Sequence, residues 1–152
     1  MKKFSNSFVF CLFGLVWLLP AENMKCSHSG IRGTVYLVTG NQMPSPGEPK
    51  PAPRGIKTTL YIYELTNMSQ VVRTETSAFY STIASKPVKQ VETGEDGSFK
   101  VKLPPGRYSL FVKKGELFYS NIFDGENNIH PVTVVKGEYA KDEFRVDYNA
   151  VY

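Results

Sequence analysis

The sequence predicts an all-β sandwich of about seven short strands with Greek-key, immunoglobulin-like connections. Three observations lead to this expectation. Apolar and polar residues alternate in short runs, turn residues separate those runs at close intervals, and no stretch has the period of an amphipathic helix. The predicted strands are rich in β-branched and aromatic residues, and they are 31–38, 57–65, 88–93, 98–103, 108–113, 131–136 and 143–148.

The clearest strand lies in the middle of the chain. Phe99, Val101 and Leu103 alternate with Lys100 and Lys102, which predicts one buried face and one solvated face. A turn with two glycines, which tolerate positive φ, comes before this strand, and a proline–glycine turn follows it. The stretch therefore predicts a tight turn at each end of this strand.

Two segments and one residue depart from this simple pattern. Segment 40–55 (GNQMPSPGEPKPAPRG) is rich in proline and glycine, which predicts a long solvated loop or, alternatively, a proline-rich recognition ligand. Segment 66–86 fits neither the strand period nor the helix period, and we expect a loop with a short helical turn over one end of the sheets. Phe111 breaks the alternation of its strand and predicts partial cover on the second face.

The first residues are typical of an export signal. Lys2 and Lys3 precede the apolar run Phe8–Leu19, and Pro20 and Ala21 close it. The run is too short for a spanning helix, which needs ~20 apolar residues. We therefore expect an export segment over residues 1–21, a short linker over 22–30 and one β-domain over 31–152, with a buried N-terminal helix as the alternative to export.

Charge and cysteine content narrow the functional classes. The chain carries a formal net charge of +4, to which the two lysines of the leader contribute. The remaining charges are interspersed, so the sequence predicts no nucleic-acid binding. Cys11 lies in the leader, which leaves Cys26 unpaired. Cys26 is a candidate lipidation site, although Asn23, Met24 and Lys25 match the lipoprotein signal poorly; a soluble exported chain is the main expectation.

Three motifs in order carry a family resemblance. They are Gly30–Val35 (GIRGTV), Thr93–Phe99 (TGEDGSF) and Leu103–Leu110 (LPPGRYSL). Together they resemble the "G-x-V", "D-G-x-F" and "L-P-x-G-x-Y" motifs of carboxypeptidase regulatory-like domains. Segments 40–47, 62–67 and 121–132 look like those of a stand-alone exported Bacteroidota-type subgroup. The resemblance implies a transthyretin-like (prealbumin-like) seven-stranded sandwich.

The same resemblance implies a module without catalysis of its own, because in metallocarboxypeptidases this domain sits beside the catalytic domain. Two enzyme groups with a similar fold fit the sequence poorly. The hydroxyisourate hydrolases end in Tyr-Arg-Gly-Ser, whereas this chain ends in Asn149–Tyr152, and the intradiol dioxygenases need closely spaced histidines. His28 and His130 stand apart, so no metal or other cofactor is predicted.

Two groups of residues are candidate binding sites. Asp124, Glu126 and Asn128 place oxygen-bearing side chains at alternate positions, which is a pattern for Ca²⁺ ligation, although a plain polar turn is the alternative because the EF-hand spacing is missing. Four aromatic residues could form a platform for sugar rings or a partner protein if they lie outward; otherwise they cover a sheet edge. These are Tyr61, Tyr63, Phe118 and Tyr119.

The sequence thus predicts a non-catalytic, exported binding or structural module at the cell envelope: periplasmic, on the cell surface or secreted. The alternative is a carbohydrate-binding module that uses exposed tyrosine and phenylalanine side chains. The expected partner is an envelope protein or a glycan, and membrane contact is expected only if Cys26 carries a lipid.

Overall fold

The structure is a computed structural model, and it describes residues 28–43, 47, 49–75 and 78–152. The predicted export segment 1–21 and Cys26 lie outside these residues. The described chain is all-β and forms eleven strands: β1 (Gly30–Asn41), β2 (Arg54–Gly55), β3 (Thr59–Glu64), β4 (Val71–Arg73), β5 (Phe79–Ile83), β6 (Pro87–Glu92), β7 (Ser98–Lys102), β8 (Gly106–Lys114), β9 (Leu117–Tyr119), β10 (Pro131–Val134) and β11 (Tyr139–Val151).

All seven predicted stretches contain a strand, and four further strands were not predicted. The extra strands are β2, β4, β5 and β9. The expectation for segment 66–86 was partly wrong: it contains the expected short helical turn, a 3-10 helix at Met68–Gln70, but also the strands β4 and β5. Asn67 caps that helix with its side chain, and Gln70 bonds back to the Asn67 backbone.

The smaller sheet has four strands arranged around β1. Strand β11 pairs with β1 in parallel along one edge. The other edge of β1 is shared by β7 and β2, both antiparallel to it. The sharing is possible because β1 spans twelve residues, of which β7 needs only the first part. The central position of β1 matters for the site, because its outward side chains have neighbours on both sides.

The larger sheet has seven strands in the order β4-β5-β9-β8-β3-β6, and β10 also pairs with β8. The long strand β8 pairs with β3 along one edge, and β10 and β9 divide its other edge between them. The turn before β8 is held by Tyr108, whose hydroxyl donates to the carbonyl oxygen of Pro104 at 2.9 Å. This contact fixes the proline–glycine corner that the sequence predicts.

One apolar core lies between the two sheets. Ile31, Val35 and Phe144 of the smaller sheet are fully buried, as are Leu60 and Leu110 of the larger sheet. These side chains belong to one continuous cluster. Burial of each large apolar side chain contributes about 1.5–3 kcal/mol. The apolar residues that alternate along the strands therefore hold the two sheets face to face.

A second apolar cluster covers the outer face of the larger sheet. It contains Tyr63, Tyr80, Phe111 and Ile129, and the side chain of Met68 packs against it. The predicted cover over Phe111 is therefore confirmed, since this ring is fully buried. The segment after β3 and the loop after β9 supply the cover, which leaves the outer face of the smaller sheet as the open one.

Candidate ligand-binding face of the smaller sheet

Three positive side chains form a row across the smaller sheet. Arg32 of β1 stands opposite Lys100 of β7 on one side and opposite Lys141 of β11 on the other. Neighbouring strands lie about 4.8 Å apart, and all three residues are exposed. Their side chains point away from the core because the neighbouring residue Ile31 is fully buried in it. We call these three residues the cation row.

The cation row has no acidic partner within the described part of the chain. The ion pairs of lysine and arginine found there use other residues, which are Lys57, Arg107, Lys113 and Arg145. Lys100 instead places its Nζ 4.4 Å from the centre of the Tyr139 ring, a favourable cation–π distance. Like charges directly opposite each other in a sheet destabilise it. The three positive charges of the cation row therefore lie side by side, and no ion pair among the described residues neutralises them.

The next row along β1 carries hydrogen-bonding groups. Thr34 stands opposite Ser98 on β7 and opposite Glu143 on β11. Together with the cation row, Thr34 and Glu143 line a shallow depression of about 370 Å³. Two hydroxyl groups and one carboxylate thus follow directly after three cations on the same face.

A third row contains an aromatic ring and a guanidinium group. Tyr36 stands opposite Arg145 of β11, and both line a groove of about 540 Å³ with Val38, Pro53, Ile122 and Glu143. Pro53 comes from the proline-rich segment and Ile122 from the loop after β9, so these two segments form walls. Glu143 lines both depressions, which makes them neighbours on one continuous face. The volume of the groove is in the range of known ligand sites.

Asp147, which lies at a bulge in β11, holds the side chain of Arg145. Asp147 and Tyr148 together stand opposite the single residue Val38, which is the arrangement of a β-bulge. The Asp147 carboxylate accepts hydrogen bonds from Tyr119, from Asn121 at 2.6 Å and from Tyr152 at 2.7 Å.

The same carboxylate lies 3.3 Å from Nε of Arg145. The guanidinium group of Arg145 also donates to the Tyr152 hydroxyl. Burial raises the pKa of Tyr119, and its hydrogen bond to Asp147 raises it further, so this phenol stays protonated and remains a donor. Arg145 is therefore held in place at the end of the groove.

No motif in the sequence marks these rows as a site. Alternation assigns Lys100 to the solvated side of its strand, but Arg32 and Lys141 lie far from it along the chain. Their meeting depends on the register of three strands, which one sequence does not reveal. The available signal was limited to several lysine and arginine residues at outward positions.

The predicted calcium turn is closed by the protein's own donors. The Asp124 carboxylate accepts from the backbone N–H of Glu126 at 2.9 Å, from the backbone N–H of Asn128 at 2.8 Å and from the Asn128 side chain at 2.8 Å. Arg107 forms ion pairs with Asp124 at 3.3 Å and with Glu126 at 3.7 Å. The side-chain hydrogen bond from Asn128 is the main cause of the lowered pKa of Asp124.

Asn128 is engaged as well, since its side-chain oxygen accepts from Asn67 at 3.3 Å. Within the described ranges, no group of three or more His, Cys, Asp or Glu side chains is placed to hold a metal ion. A cation at this turn would have to displace Arg107 and the amide donors. The arrangement is that of a polar turn that is stabilised by internal hydrogen bonds.

The structure brings three of the four platform residues together. Tyr61 and Tyr63 each meet Phe118 edge to face, at 5.5 and 5.8 Å between ring centres. Tyr63 is only 9% exposed because it also packs against Phe111. Tyr119 points to the opposite face and is buried in the main core. The four rings therefore do not lie together on one exposed surface, because Tyr63 and Tyr119 are buried on opposite faces of the sheet.

His130 has a partner, Asp142, that its position in the sequence does not indicate. Its Nε2 lies 3.0 Å from a carboxylate oxygen of Asp142, and its ring stacks on Phe144 at 4.6 Å. The His130 side chain is 4% exposed, and its Nδ1 has no hydrogen-bond partner among the described residues. Because the two side chains come from different sheets and are largely shielded from solvent, this contact links the sheets.

Comparison of the chain with protein-family models, with curated proteins and with solved structures gives no match. Over the residues that the structure describes, no helix is both long enough and apolar enough to cross a membrane.

Proposed function

We propose that this protein is a non-catalytic, exported binding module of the cell envelope, which holds an anionic partner on the outer face of its smaller sheet. The observation that carries the proposal is the cation row, in which Lys100, Arg32 and Lys141 stand side by side without an acidic partner among the described residues. An anion placed on this row would interact with three positive charges at once.

A purely structural role for this face explains the cation row poorly. A solvated sheet face is most stable when charges of both signs are interspersed, and like charges opposite each other cost up to about 1 kcal/mol per pair. Residues that reduce stability without a structural compensation are typical of functional sites. The cation row fits a surface that a negatively charged partner neutralises.

Export of the protein and its relation to the carboxypeptidase regulatory-like domains belong to the same proposal. The leader, in which Lys2 and Lys3 precede an apolar run, supports export. The two packed sheets and the order of the three motifs support a transthyretin-like sandwich related to the carboxypeptidase regulatory-like domains. In the structure, the second motif forms the turn before β7 and the third forms the corner before β8.

The test is sedimentation of the purified domain with washed cell envelopes at increasing salt concentration. We expect the wild type to sediment with the envelopes at low salt and to be released as salt rises, because salt screens exposed charges. The double variant Arg32→Thr/Lys141→Thr should remain in solution. Its matched control is Lys89→Thr/Lys136→Thr, which removes the same charge from exposed positions outside this face and should sediment like the wild type.

Two results would overturn the proposal. One is failure of the wild type to sediment at any salt concentration. The other is equal loss of sedimentation in both double variants, because binding would then follow the net charge and not the cation row. Circular dichroism of all variants checks that each one is folded.

A further inference from the structure

We infer that the anionic partner is an acidic polysaccharide, which lies along β1 with a carboxylate or sulfate group on the cation row and a sugar ring on Tyr36. This inference rests on the proposed function and narrows it to one class of ligand. It depends on the order of the three rows along β1. The cation row lies at Arg32, the hydroxyl groups and the Glu143 carboxylate lie at the level of Thr34, and the aromatic ring is that of Tyr36.

The length of the face suits an extended chain better than a single small anion. Arg32 and Tyr36 are four residues apart on one strand, which is about 13 Å. The two depressions of about 370 and 540 Å³ are neighbours through Glu143. A small anion such as inorganic phosphate would contact the cation row alone and leave the Tyr36 groove unused. A polymer with charge on one unit and an exposed ring on another would contact both.

The middle row is chemically matched to sugar hydroxyl groups. The Thr34 hydroxyl can donate or accept, and the exposed carboxylate of Glu143 accepts. An ionised carboxylate at this position would repel an anionic membrane or a run of phosphates, but it can accept hydrogen bonds from a sugar. Glu143 therefore favours a ligand in which negative groups alternate with hydroxyl-bearing units.

The groove around Tyr36 supplies a surface for a ring. The face of an aromatic side chain is electronegative, so the C–H groups of a sugar ring can pack on it favourably. Val38 and Pro53 provide apolar walls, and the anchored guanidinium group of Arg145 provides a fixed donor at the rim. The combination of one aromatic ring, apolar walls and a few fixed polar groups is typical of small-molecule sites.

A lipid surface is a weaker candidate for the same face. Docking on a membrane is strengthened by protruding apolar side chains among the cations. Among the strongly exposed large apolar residues within the described ranges, only Ile122 lines the groove, and Tyr152 contacts Arg145 at its rim. The centre of the face holds Thr34 and Glu143. A membrane is therefore an outcome that the experiment has to separate, and not the expected partner.

The experiment is titration calorimetry of the purified domain with defined probes. Polygalacturonate, alginate and hyaluronate are the acidic polysaccharides. Fully methyl-esterified polygalacturonate has the same rings without the charge, and polyphosphate has the charge without the rings. Vesicles of phosphatidylglycerol represent an anionic membrane. We expect at least one acidic polysaccharide to bind, and both matched polymers to bind at least about tenfold more weakly than the best of them.

Variants then test whether the whole face is used. Tyr36→Val, which keeps a strand-forming residue, should weaken binding about five- to tenfold, whereas Tyr36→Phe keeps the ring and should bind within about twofold of the wild type. Arg32→Thr/Lys141→Thr should abolish binding, and Lys89→Thr/Lys136→Thr should not change it. Thermal unfolding of each variant without ligand reports whether the fold is retained.

Three results would overturn the inference: no binding of any of the three acidic polysaccharides, tighter binding of polyphosphate or vesicles, or equal affinities for the wild type and Tyr36→Val. These results are distinct from failure of the proposed function. If the domain sediments with envelopes through the cation row but binds none of the polysaccharides, then the inference fails and the proposed function stands.

Discussion

His130 and Asp142 join the two sheets of this protein through a contact that is almost completely shielded from water. Nε2 of His130 lies 3.0 and 3.1 Å from the two carboxylate oxygens of Asp142, and the two side chains are 4% and 14% exposed. His130 directly precedes β10 in the larger sheet, and Asp142 lies on β11 in the smaller one. Because a buried polar group without its partner is costly, this contact contributes to the fixed position of the sheets.

We expect Asp142→Ala to lower the free energy of unfolding by about 2–3 kcal/mol, because the His130 ring then loses its hydrogen-bond partner in a buried place. Urea denaturation of the wild type, Asp142→Ala, His130→Ala and the double variant gives a double-mutant cycle. The coupling energy between the two residues should be about 0.5–3 kcal/mol. A coupling energy of zero would mean that the two side chains do not support each other.

Gly97 should tolerate no side chain, whereas Gly125 should. Gly97 has φ of 77°, and a Cβ atom there would lie 2.3 Å from the carbonyl oxygen of Val35. We expect Gly97→Ala to lower the free energy of unfolding by at least ~2 kcal/mol, from the strained φ and the backbone clash together. A Cβ at Gly125 meets nothing within 4 Å, so Gly125→Ala should stay within about 0.5 kcal/mol of the wild type.

Chemical denaturation of both glycine variants checks this prediction. The position of Gly97 explains the expected difference, because its carbonyl oxygen also accepts from the N–H of Val35 at 2.9 Å. The turn before β7 is therefore pressed against β1. Similar stabilities of Gly97→Ala and Gly125→Ala would show that this turn can move away from β1 at little cost.

Tyr108 stabilises the corner before β8 through one hydrogen bond. Its ring is buried in the main core, and its hydroxyl donates to Pro104. Tyr108→Phe keeps the ring and should lower the free energy of unfolding by about 1 kcal/mol, the usual net value of one hydrogen bond. Tyr61→Phe is the matched control, because the same substitution leaves a ring that packs on Phe118. Thermal unfolding should show a clearly lower melting temperature for Tyr108→Phe and not for Tyr61→Phe.

The strands could be predicted where one face is buried and the other is wet. Strand β5 was missed because two successive residues are both buried: Phe79 packs in the main core and Tyr80 in the outer cluster. A strand that is covered on both faces loses its alternation of apolar and polar residues. Strand β2 has only two residues, which is too short for any period to be read.

The candidate sites were harder to predict than the strands, because sites depend on register and on which side chains pair. The cation row requires Arg32 to stand between two other strands, and a shift of one residue would send its side chain to the other face. The side chains of Asp124 and Asn128 lie close together and share a hydrogen bond. The ion pair that Arg107 adds could not be predicted from the sequence, because Arg107 lies on β8, 17 residues before Asp124.

The acid stability of the protein should depend on Asp124. Its pKa is lowered first by the side-chain hydrogen bond from Asn128, then by backbone hydrogen bonds and the charge of Arg107. A carboxyl group whose pKa is lower in the folded state stabilises the fold above its unfolded pKa of about 3.9. That stabilisation is lost as the pH falls through the folded pKa. Asp124→Asn should therefore be less stable than the wild type at pH 7, and the difference should shrink below pH 4.

Urea denaturation of both proteins at pH 7, 4 and 3 measures this convergence. A difference that stays constant over this range would mean that the ionised carboxylate does not matter for stability.

Repulsion within the cation row should lower the free energy of unfolding of the wild type. Because Arg32 stands between two lysines, Arg32→Thr removes two repulsive neighbours and should raise the free energy of unfolding by ~0.2–1 kcal/mol at low salt. Lys89→Thr, which introduces the same residue on the exposed strand β6, controls for the strand preference of threonine. The gain of Arg32→Thr over this control should shrink as salt screens the repulsion.

The same variant is expected to lose affinity for anionic ligands, so one substitution would raise stability and weaken binding. This opposite pair of effects is what separates a binding surface from a structural one, since a residue kept for the fold should lower stability when it is replaced. Denaturation at two salt concentrations and titration with polygalacturonate, performed on Arg32→Thr and Lys89→Thr together, measure both effects. A loss of stability in Arg32→Thr relative to Lys89→Thr would show that Arg32 serves the fold and would remove the main support for the proposed binding face.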